Sequence, residues 1–273
     1  MRIIDTHLHL IYPDRISYPW LANAPAINKP WSVDDYFKEA APLGITSALH
    51  MEVDVAEKDM LAETQFVLGL PGIVGAIAAC RPENTDFVAH IERLSEMPHV
   101  KGVRRILHES PDDLSQTDLF VENLRYLPDY DLSFDLCLLA RQLSIGLDLA
   151  QRAPDTQFIL DHCGNPRIAE GKLDPWREWV TAIATCPNVA VKISGIITNA
   201  APGWSAEDLR PYVEHLIDAF GWDRVVWGSD HPVATKNGTL TQWVQATHAI
   251  LSGCSDDEKA KLLHRNAERI YKA

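Results

Sequence analysis

The sequence predicts a closed (β/α)8 barrel of the TIM type, with residues 1–273 forming one domain. Three observations carry that expectation. About eight short β-branched runs recur along the chain, each followed by a longer helical pattern. Most of these runs are almost continuously apolar rather than alternating, as parallel strands are when a core covers one face and a helix layer the other. The length of 273 residues suits a fold that commonly uses about 250. An open doubly wound sheet is the rival. No G-x-G-x-x-G follows the first strand, which weakens its dinucleotide-binding form.

The strands are expected at Arg2–Thr6, Thr46–Met51, Ile73–Ala79, Gly102–Ile106, Ser133–Leu136, Gln157–Asp161, Val189–Ile193 and Val225–Gly228. Start and stop signals frame several of the helices. Ser32 precedes Val33-Asp34-Asp35-Tyr36-Phe37, a cap with acidic residues in the first turn, and Gly44 closes that helix. Ser205 opens another, which Gly221 ends; Ser255-Asp-Asp-Glu opens the last, with Leu262, Leu263, Ala267 and Ile270 at helical spacing. Trp176, Trp179, Val180 and Ile183 form a similar stripe, expected to pack against the sheet. Between strand one and the first helix lies residues 11–31, a segment containing Pro13, Pro19, Pro25 and Pro30. It is too long for an ordinary βα loop. In a barrel it would lie over the mouth of strand one, either as a lid or substrate-binding loop or as a packed surface excursion.

Composition excludes several function classes. There are 25 basic and 38 acidic side chains, a net charge of −13, and 46% of residues are hydrophobic. That balance argues against a nucleic-acid binder or an anionic membrane surface as partner. No apolar run approaches the roughly 20 residues of a membrane span, and the N-terminus lacks a secretory pattern. The five cysteines are odd in number and contain no C-x-x-C, which suits reduced thiols in a cytoplasmic protein.

The chemistry-bearing residues fall at strand ends, where barrel active sites form. His7 and His9 end the first strand; two apart in an extended chain, they point the same way and can share a metal or clamp a substrate. His162 ends the sixth strand and Asp230 the eighth. A carboxylate just past an apolar strand is costly to bury unless paired or used. Glu52 lies near the end of strand two, Arg104 and Arg105 in strand four, Lys192 in strand seven. Arg104 is read as facing inward. Lys192 is either a positive charge toward the mouth or a salt-bridged rim residue. Trp20, on the long loop, is available to stack on a ring or to pack the loop. His231 is read as a supporting residue, and His50, His90, His99, His108, His215, His248 and His264 as structural or surface histidines, with His50 and His108 near the mouth.

With these residues goes a resemblance. Asp5-Thr6-His7-Leu8-His9, Tyr18-Pro19-Trp20-Leu21, Gly102-Val103-Arg104-Arg105, Leu160-Asp161-His162-Cys163-Gly164, Val191-Lys192-Ile193-Ser194-Gly195 and Gly228-Ser229-Asp230-His231-Pro232 together resemble the amidohydrolase superfamily in its amidohydrolase 2 branch. Within it the chain is similar to the sugar lactonases (the L-fuconolactonase and L-rhamnonolactonase group) and, more distantly, to pyrone-dicarboxylate lactonase. The resemblance runs over essentially the whole chain. It implies a (β/α)8 barrel with the site at the mouth and a sugar (aldono-) lactone as small-molecule substrate.

Departures narrow what is implied about metals. Strand four ends in Arg104-Arg105, where binuclear members place a bridging lysine or glutamate, and arginine cannot ligate. Strand five carries Asp135-Leu136-Cys137 where a histidine is frequent. At most one divalent ion is then expected, held by His7, His9 and Asp230 or His162, with zinc the default and Glu52 either a further ligand or a partner for a substrate hydroxyl; the lactonase branch also includes metal-independent members. Lactone opening needs an activated water, a polarised carbonyl and a proton for the leaving oxygen. Asp230 is assigned as general base, His162 or Arg104 as oxyanion partner, and Arg104, Lys192, Trp20 and Glu52 as substrate contacts. Two alternatives stand beside this: a metal-dependent decarboxylase of the same branch, and a barrel that binds a sugar acid without turnover.

Overall fold

The computed structural model describes residues 1–273. Eight parallel strands form one sheet in sequential order: β1 (Ile3–Leu8), β2 (Ile45–Met51), β3 (Ile73–Ala79), β4 (Val100–Ile106), β5 (Ser133–Cys137), β6 (Phe158–Leu160), β7 (Val189–Ile193) and β8 (Val225–Trp227). Each is followed by a helix on the outside: α1 (Val33–Ala40), α2 (Met60–Leu68), α3 (Phe87–Ser95), α4 (Asp118–Leu124), α5 (Leu143–Arg152), α6 (Trp176–Ala184), α7 (Ala206–Phe220) and α8 (Leu240–Ile250). This is the (β/α)8 barrel. No helix is long and apolar enough to cross a membrane.

The caps expected from sequence form. Ser32 accepts from the Asp35 N–H at 3.1 Å, and Ser205 and Ser255 pair with Asp208 and Glu258 in capping boxes. The final helix forms from Ser255 onward as expected, α9 (Asp256–Ala260) and α10 (Asn266–Ile270) being joined without a break by a π-helical turn at Lys261–Arg265. One expectation needs correction. Trp179 does not join the packing stripe of α6; it is 37% exposed, whereas Trp176, Val180 and Ile183 are buried. Helical spacing alone cannot place the edge of a stripe when an indole is large enough to lie along it.

Parity along the strands separates two cores. Ala48, Ala78, Phe158, Leu160, Val189, Val191, Val225 and Trp227 pack outward under the helices. Their neighbours Leu49, Met51, Ile77, Ile159, Ala190 and Val226 form an inner cluster with Tyr271 from the C-terminal tail. Above that apolar layer the inward positions turn polar: Arg104, Asp135, Asp161 and Lys192 are all buried. The long segment 11–31 is a packed excursion with its own small core. Ile11, Ile16, Tyr18, Leu21 and Ile27 bury against Val53, Val55 and Met60, and Ile11 bridges to Trp31.

The seam between β8 and β1 closes differently from the other pairs. Only Leu8 and His231 form a strand-type bridge, with the His9 N–H donating to the His231 carbonyl at 2.8 Å and the Asp230 N–H to the His7 carbonyl at 2.9 Å. At this seam the buried Asp5 carboxylate accepts four hydrogen bonds, two across it from the Ser229 N–H (2.7 Å) and hydroxyl (2.5 Å), and two from its own side, the Tyr36 hydroxyl (2.5 Å) of α1 and the His7 N–H (3.0 Å) of β1. An orphaned buried donor costs about 1–3 kcal/mol, and of these four only the hydroxyls can turn to other acceptors. Asp5→Ala is therefore expected to lose about 3 kcal/mol or more of stability, read as a lower urea midpoint; an unchanged midpoint would show that the seam closes without the carboxylate.

Candidate active site at the barrel mouth

A cavity of about 300 Å³ opens at the C-terminal ends of the strands. His9, Arg104, His162 and Asp230 line it at depth. Ile11, Trp20, Val53, Ile106, Leu139 and Val233 supply apolar walls, and Asp54, His108, Glu109, Asn165, Thr198, Asn199 and Lys236 polar ones. The size falls at the lower end for small-molecule sites.

His162 and Asp230 reach the cavity through unusual backbone. Strand β6 stops at Leu160, and His162, Cys163, Gly164 and Asn165 are all left-handed, with φ from +51° to +68°. Asp230 is also left-handed, at φ +58°. Such residues cost of order 1 kcal/mol each and persist where the surroundings over-determine them. Here they do: the Trp176 indole donates to the Cys163 carbonyl (2.7 Å), the Asn165 amide to the Leu138 carbonyl (2.7 Å), and the Asp230 N–H crosses the seam. His162 Nδ1 lies 3.0 Å from the Ser194 hydroxyl. Gly195 makes room for both residues. A β-carbon there would sit 2.5 Å from His162 Nδ1 and 2.8 Å from Asp230 Oδ2, and its φ of +59° suits glycine.

The electrostatics set the protonation states. Burial pushes the Asp230 carboxyl up to about 6, against the opposing pull of His162 and Arg104, so it is mostly ionised at neutral pH. Burial, helped by Arg104, pushes the His9 imidazolium down to about 3. His9 Nδ1 lies 3.0 Å from the Met51 carbonyl, which can only accept, so Nδ1 carries the ring proton. Nε2 then turns a lone pair toward Asp230 Oδ1, 3.5 Å away. A lone pair facing a carboxylate is unfavourable unless a cation lies between them. His7, His9 and Asp230 offer one ligand atom each, all within 4.8 Å of one another. Two imidazoles and a carboxylate suit a divalent ion of the zinc type, so the residues present fit one metal.

The structure sorts the remaining sequence assignments. Arg104 faces inward and Arg105 outward, to Glu83 at 2.8 Å. Arg104 is held by the Glu52 carboxylate (2.7 Å) and carbonyl (2.8 Å), with Asp161 at 3.6 Å. Glu52 as a substrate contact is corrected: it is 1% exposed, does not line the cavity, and its second oxygen accepts from the Asp54 N–H at 2.8 Å. Lys192 as a substrate contact is corrected as well. Its ammonium lies fully buried below the floor, 2.5 Å from Asp135 and 3.0 Å from Asp161. Position at a strand end does not bring either side chain to solvent, because the inward layer at that height is sealed. Trp20 lines the cavity, its indole N–H donating to the Val53 carbonyl at 2.7 Å. His231 packs against Trp31 and Tyr36 outside the cavity. His50 points away from it, toward Glu63 at 3.5 Å.

Sequence reasoning missed several groups. His108, expected as a structural or surface histidine near the mouth, lines the cavity with Nδ1 3.1 Å from Cys137 Sγ. Ser194 and Gly195 were visible only as part of a motif. Asn165, Thr198, Asn199 and Lys236 lie on loops after β6, β7 and β8, and loop composition carries no signal for which residues turn inward.

Comparison with known proteins gives consistent relatives. A family model described as amidohydrolase matches residues 4–273. A Sinorhizobium fredii protein designated y4mH is 31% identical, over 99% of this chain and 98% of its own. An L-fucono-1,5-lactonase of Burkholderia ambifaria is 31% identical over 78% of this chain and 73% of its own, and one of Burkholderia multivorans is 30% identical over 97% and 88%. Among solved structures, an amidohydrolase of Burkholderia multivorans with bound zinc superposes with a TM-score of 0.89 at 22% identity, covering 100% of this chain and 99% of that one. That last likeness speaks for the fold.

Gly195→Ala is expected to push His162 and Asp230 apart and to lower turnover at least about tenfold, the scale on which small misplacements act, with the protein still folded by circular dichroism. Full turnover would mean that Gly195 does not set their spacing. Stripped protein titrated calorimetrically with zinc is expected to take up one equivalent, and His9→Ala to lose that binding; two equivalents, or none, would contradict a single three-residue site.

Proposed function

The chain belongs to the amidohydrolase family, and from that premise we propose that it hydrolyses a neutral sugar (aldono-) lactone by water attack at the ring carbonyl. The observation that carries this reading is the charge inventory of the cavity. Its anions are Asp54, Glu109 and Asp230; its cations are Arg104 and Lys236. Arg104 is already occupied by Glu52 and Asp161, so Lys236 is the cation left for a ligand. A dicarboxylate would find Lys236 as the one uncommitted side-chain cation, beside a divalent ion that, when bound, already faces Asp230, so the lining has no pair of cations for two carboxylates. A neutral polyhydroxylated ring suits the mixture of acidic, amide and hydroxyl groups, with Trp20 as a platform for its carbon face. The lactonase relatives support the same class.

The two oxygens of Asp230 have different surroundings. Oδ1 faces His7 and His9; Oδ2 faces His162 across Gly195. Asp230 acts as general base through Oδ2, taking a proton from the attacking water and later returning it to the departing ring oxygen. Burial keeps His162 neutral by lowering its pKa. In the tautomer in which Ser194 donates to Nδ1, the His162 Nε2–H is free to donate to the carbonyl oxygen as charge develops. The Arg104 guanidinium at the same depth adds fixed positive potential. A divalent ion held by His7, His9 and Asp230 would supply Lewis-acid polarisation of the carbonyl when bound.

Acid release from a panel of fucono-, rhamnono-, galactono-, xylono- and arabinono-lactones, with zinc supplied, tests the class. Rapid opening of at least one aldonolactone is expected, with a pyrone dicarboxylate inert; silence on every aldonolactone, or opening of the dicarboxylate alone, would overturn the reading. Asp230→Asn is expected to lose about 10²–10⁴-fold in turnover, the usual weight of a general base, while retaining its circular dichroism. Near-normal turnover would remove Asp230 from that role.

A further inference from the structure

The loop after β2 carries an acid that the proposed reaction does not use. Of the three cavity anions, Asp230 is engaged by the chemistry, and the Glu109 side chain is 70% exposed at the rim. The Asp54 side chain is 33% exposed and lines the cavity. Its neighbours Val53 and Val55 are both buried in the small core of segment 11–31, so the residue between them is anchored on either side.

The backbone at Asp54 is held as well. It is left-handed, at φ +47°, and its N–H donates to the Glu52 carboxylate at 2.8 Å. The other oxygen of Glu52 accepts from Arg104 Nε at 2.7 Å, so one buried carboxylate places two cavity residues at once. Arg81 stands 3.6 Å from Asp54 Oδ1, an ion pair too long for a hydrogen bond and partly exposed, which contributes little by itself. Asparagine tolerates a left-handed turn as well as aspartate does, so the backbone does not explain the charge. A carboxylate oxygen can accept two donors, and that capacity is open toward the cavity.

The position is informative. Strands β2 and β6 stand four places apart in a ring of eight, so Asp54 lies across the mouth from His162. A lactone whose carbonyl meets His162 and Asp230 extends its remote ring carbons toward Asp54. Trp20 is fixed in the same region, since its indole N–H donates to the carbonyl of Val53, the residue before Asp54. An aromatic face beside an acceptor-only carboxylate matches a sugar ring, which offers C–H groups on its face and O–H donors at its edge.

We propose that Asp54 is a specificity-determining residue: its carboxylate accepts two adjacent ring hydroxyls of the lactone, at the end away from the carbonyl, while Trp20 covers one face of the ring. The substrate class narrows to lactones with free neighbouring hydroxyls on the remote ring carbons. The orientation of the ligand rests on the lactone-hydrolase reading.

The test is calorimetric binding, to the full chain, of polyhydroxylated 1,5-lactams of the fucono, rhamnono, galactono, xylono and arabinono series. These are neutral ring analogues that keep the hydroxyls of the lactones. The tightest is then compared with analogues lacking one ring hydroxyl each. Asp54→Asn keeps the size of the side chain and tolerates the turn; Asp54→Gly, which suits φ +47°, is the second variant. Wild type is expected to lose about 10–100-fold in affinity, the weight of a hydrogen bond to a charged group, when either of two adjacent remote hydroxyls is removed. Both variants are expected to bind the parent lactam more weakly on that scale and to be indifferent to those two hydroxyls. On any aldonolactone that is opened, they should raise KM with kcat little changed. Equal loss on the parent and every deoxy analogue would show a merely structural role and overturn the proposal. Unchanged binding of the parent by the variants, or no binding of any lactam by wild type, would overturn it too. The hydroxyl dependence seen in a protein that opens no lactone would uphold this proposal while the functional reading failed; lactone opening with KM unchanged in the variants would do the reverse.

Discussion

The Asp5 carboxylate, buried between β1, β8 and α1, accepts four hydrogen bonds and makes a ring out of an eight-stranded sheet. The other strand pairs are held by ladders of repeated backbone bonds; at the seam two backbone bonds share that task with the Thr6 hydroxyl and the Asp5 carboxylate. Its partners are the neighbours of the working residues. The His7 N–H sets the start of the H-x-H segment, and the Ser229 N–H and hydroxyl set the residue before Asp230. Seam closure and the meeting of His7, His9 and Asp230 are thus one event. A carboxylate that accepts from two backbone donors and two hydroxyls is also rigid, because moving it strands several buried donors at once.

Strain is concentrated where the chemistry is proposed. A strand ending normally would carry His162 and Asp230 onward in extended conformation. Instead both are left-handed, and the tight approach of Gly195 lets the two side chains share one corner of the cavity. The stabilising contacts come from the scaffold: the Trp176 indole from α6, the Asn165 amide and the seam hydrogen bonds. Such a layout places the reacting groups on rigid elements and leaves the loops after β2, β4, β6, β7 and β8 to set the polar lining.

Charge is handled in two tiers. The lower tier, Asp135, Lys192, Asp161, Arg104 and Glu52, is nearly dry and internally paired. The upper tier faces the cavity and is left net acidic. Because Arg104 and Lys192 are paired below, attraction for an anionic ligand falls to Lys236 and to a metal ion when one is bound. The same pairing keeps the Arg104 guanidinium and Asp161 charged despite burial, so the field under Asp230 is fixed in advance and needs no rearrangement when a ligand enters.

The barrel was legible because its signals are local and repeated. Apolar runs at strand length, caps such as Ser32, Ser205 and Ser255, and the length of the chain each report on a few neighbouring residues, and the repetition makes them agree. The same holds for His7, His9, His162 and Asp230, whose placement at strand ends follows from the rule that barrel sites form there. Only the tertiary structure decided which polar residues at those ends meet solvent. Glu52, Arg104 and Lys192 are equivalent in sequence, yet Arg104 reaches the cavity while Glu52 and Lys192 close around it from below. That choice depends on the stagger between strands and on partners distant in sequence, Asp135 (57 residues) and Asp161 for Lys192 and Glu52 (52 residues) for Arg104. It depends as well on the left-handed turns that swing His162 and Asp230 together. No local pattern encodes such pairings, because an ion pair in a barrel interior is specified by two distant strands at once.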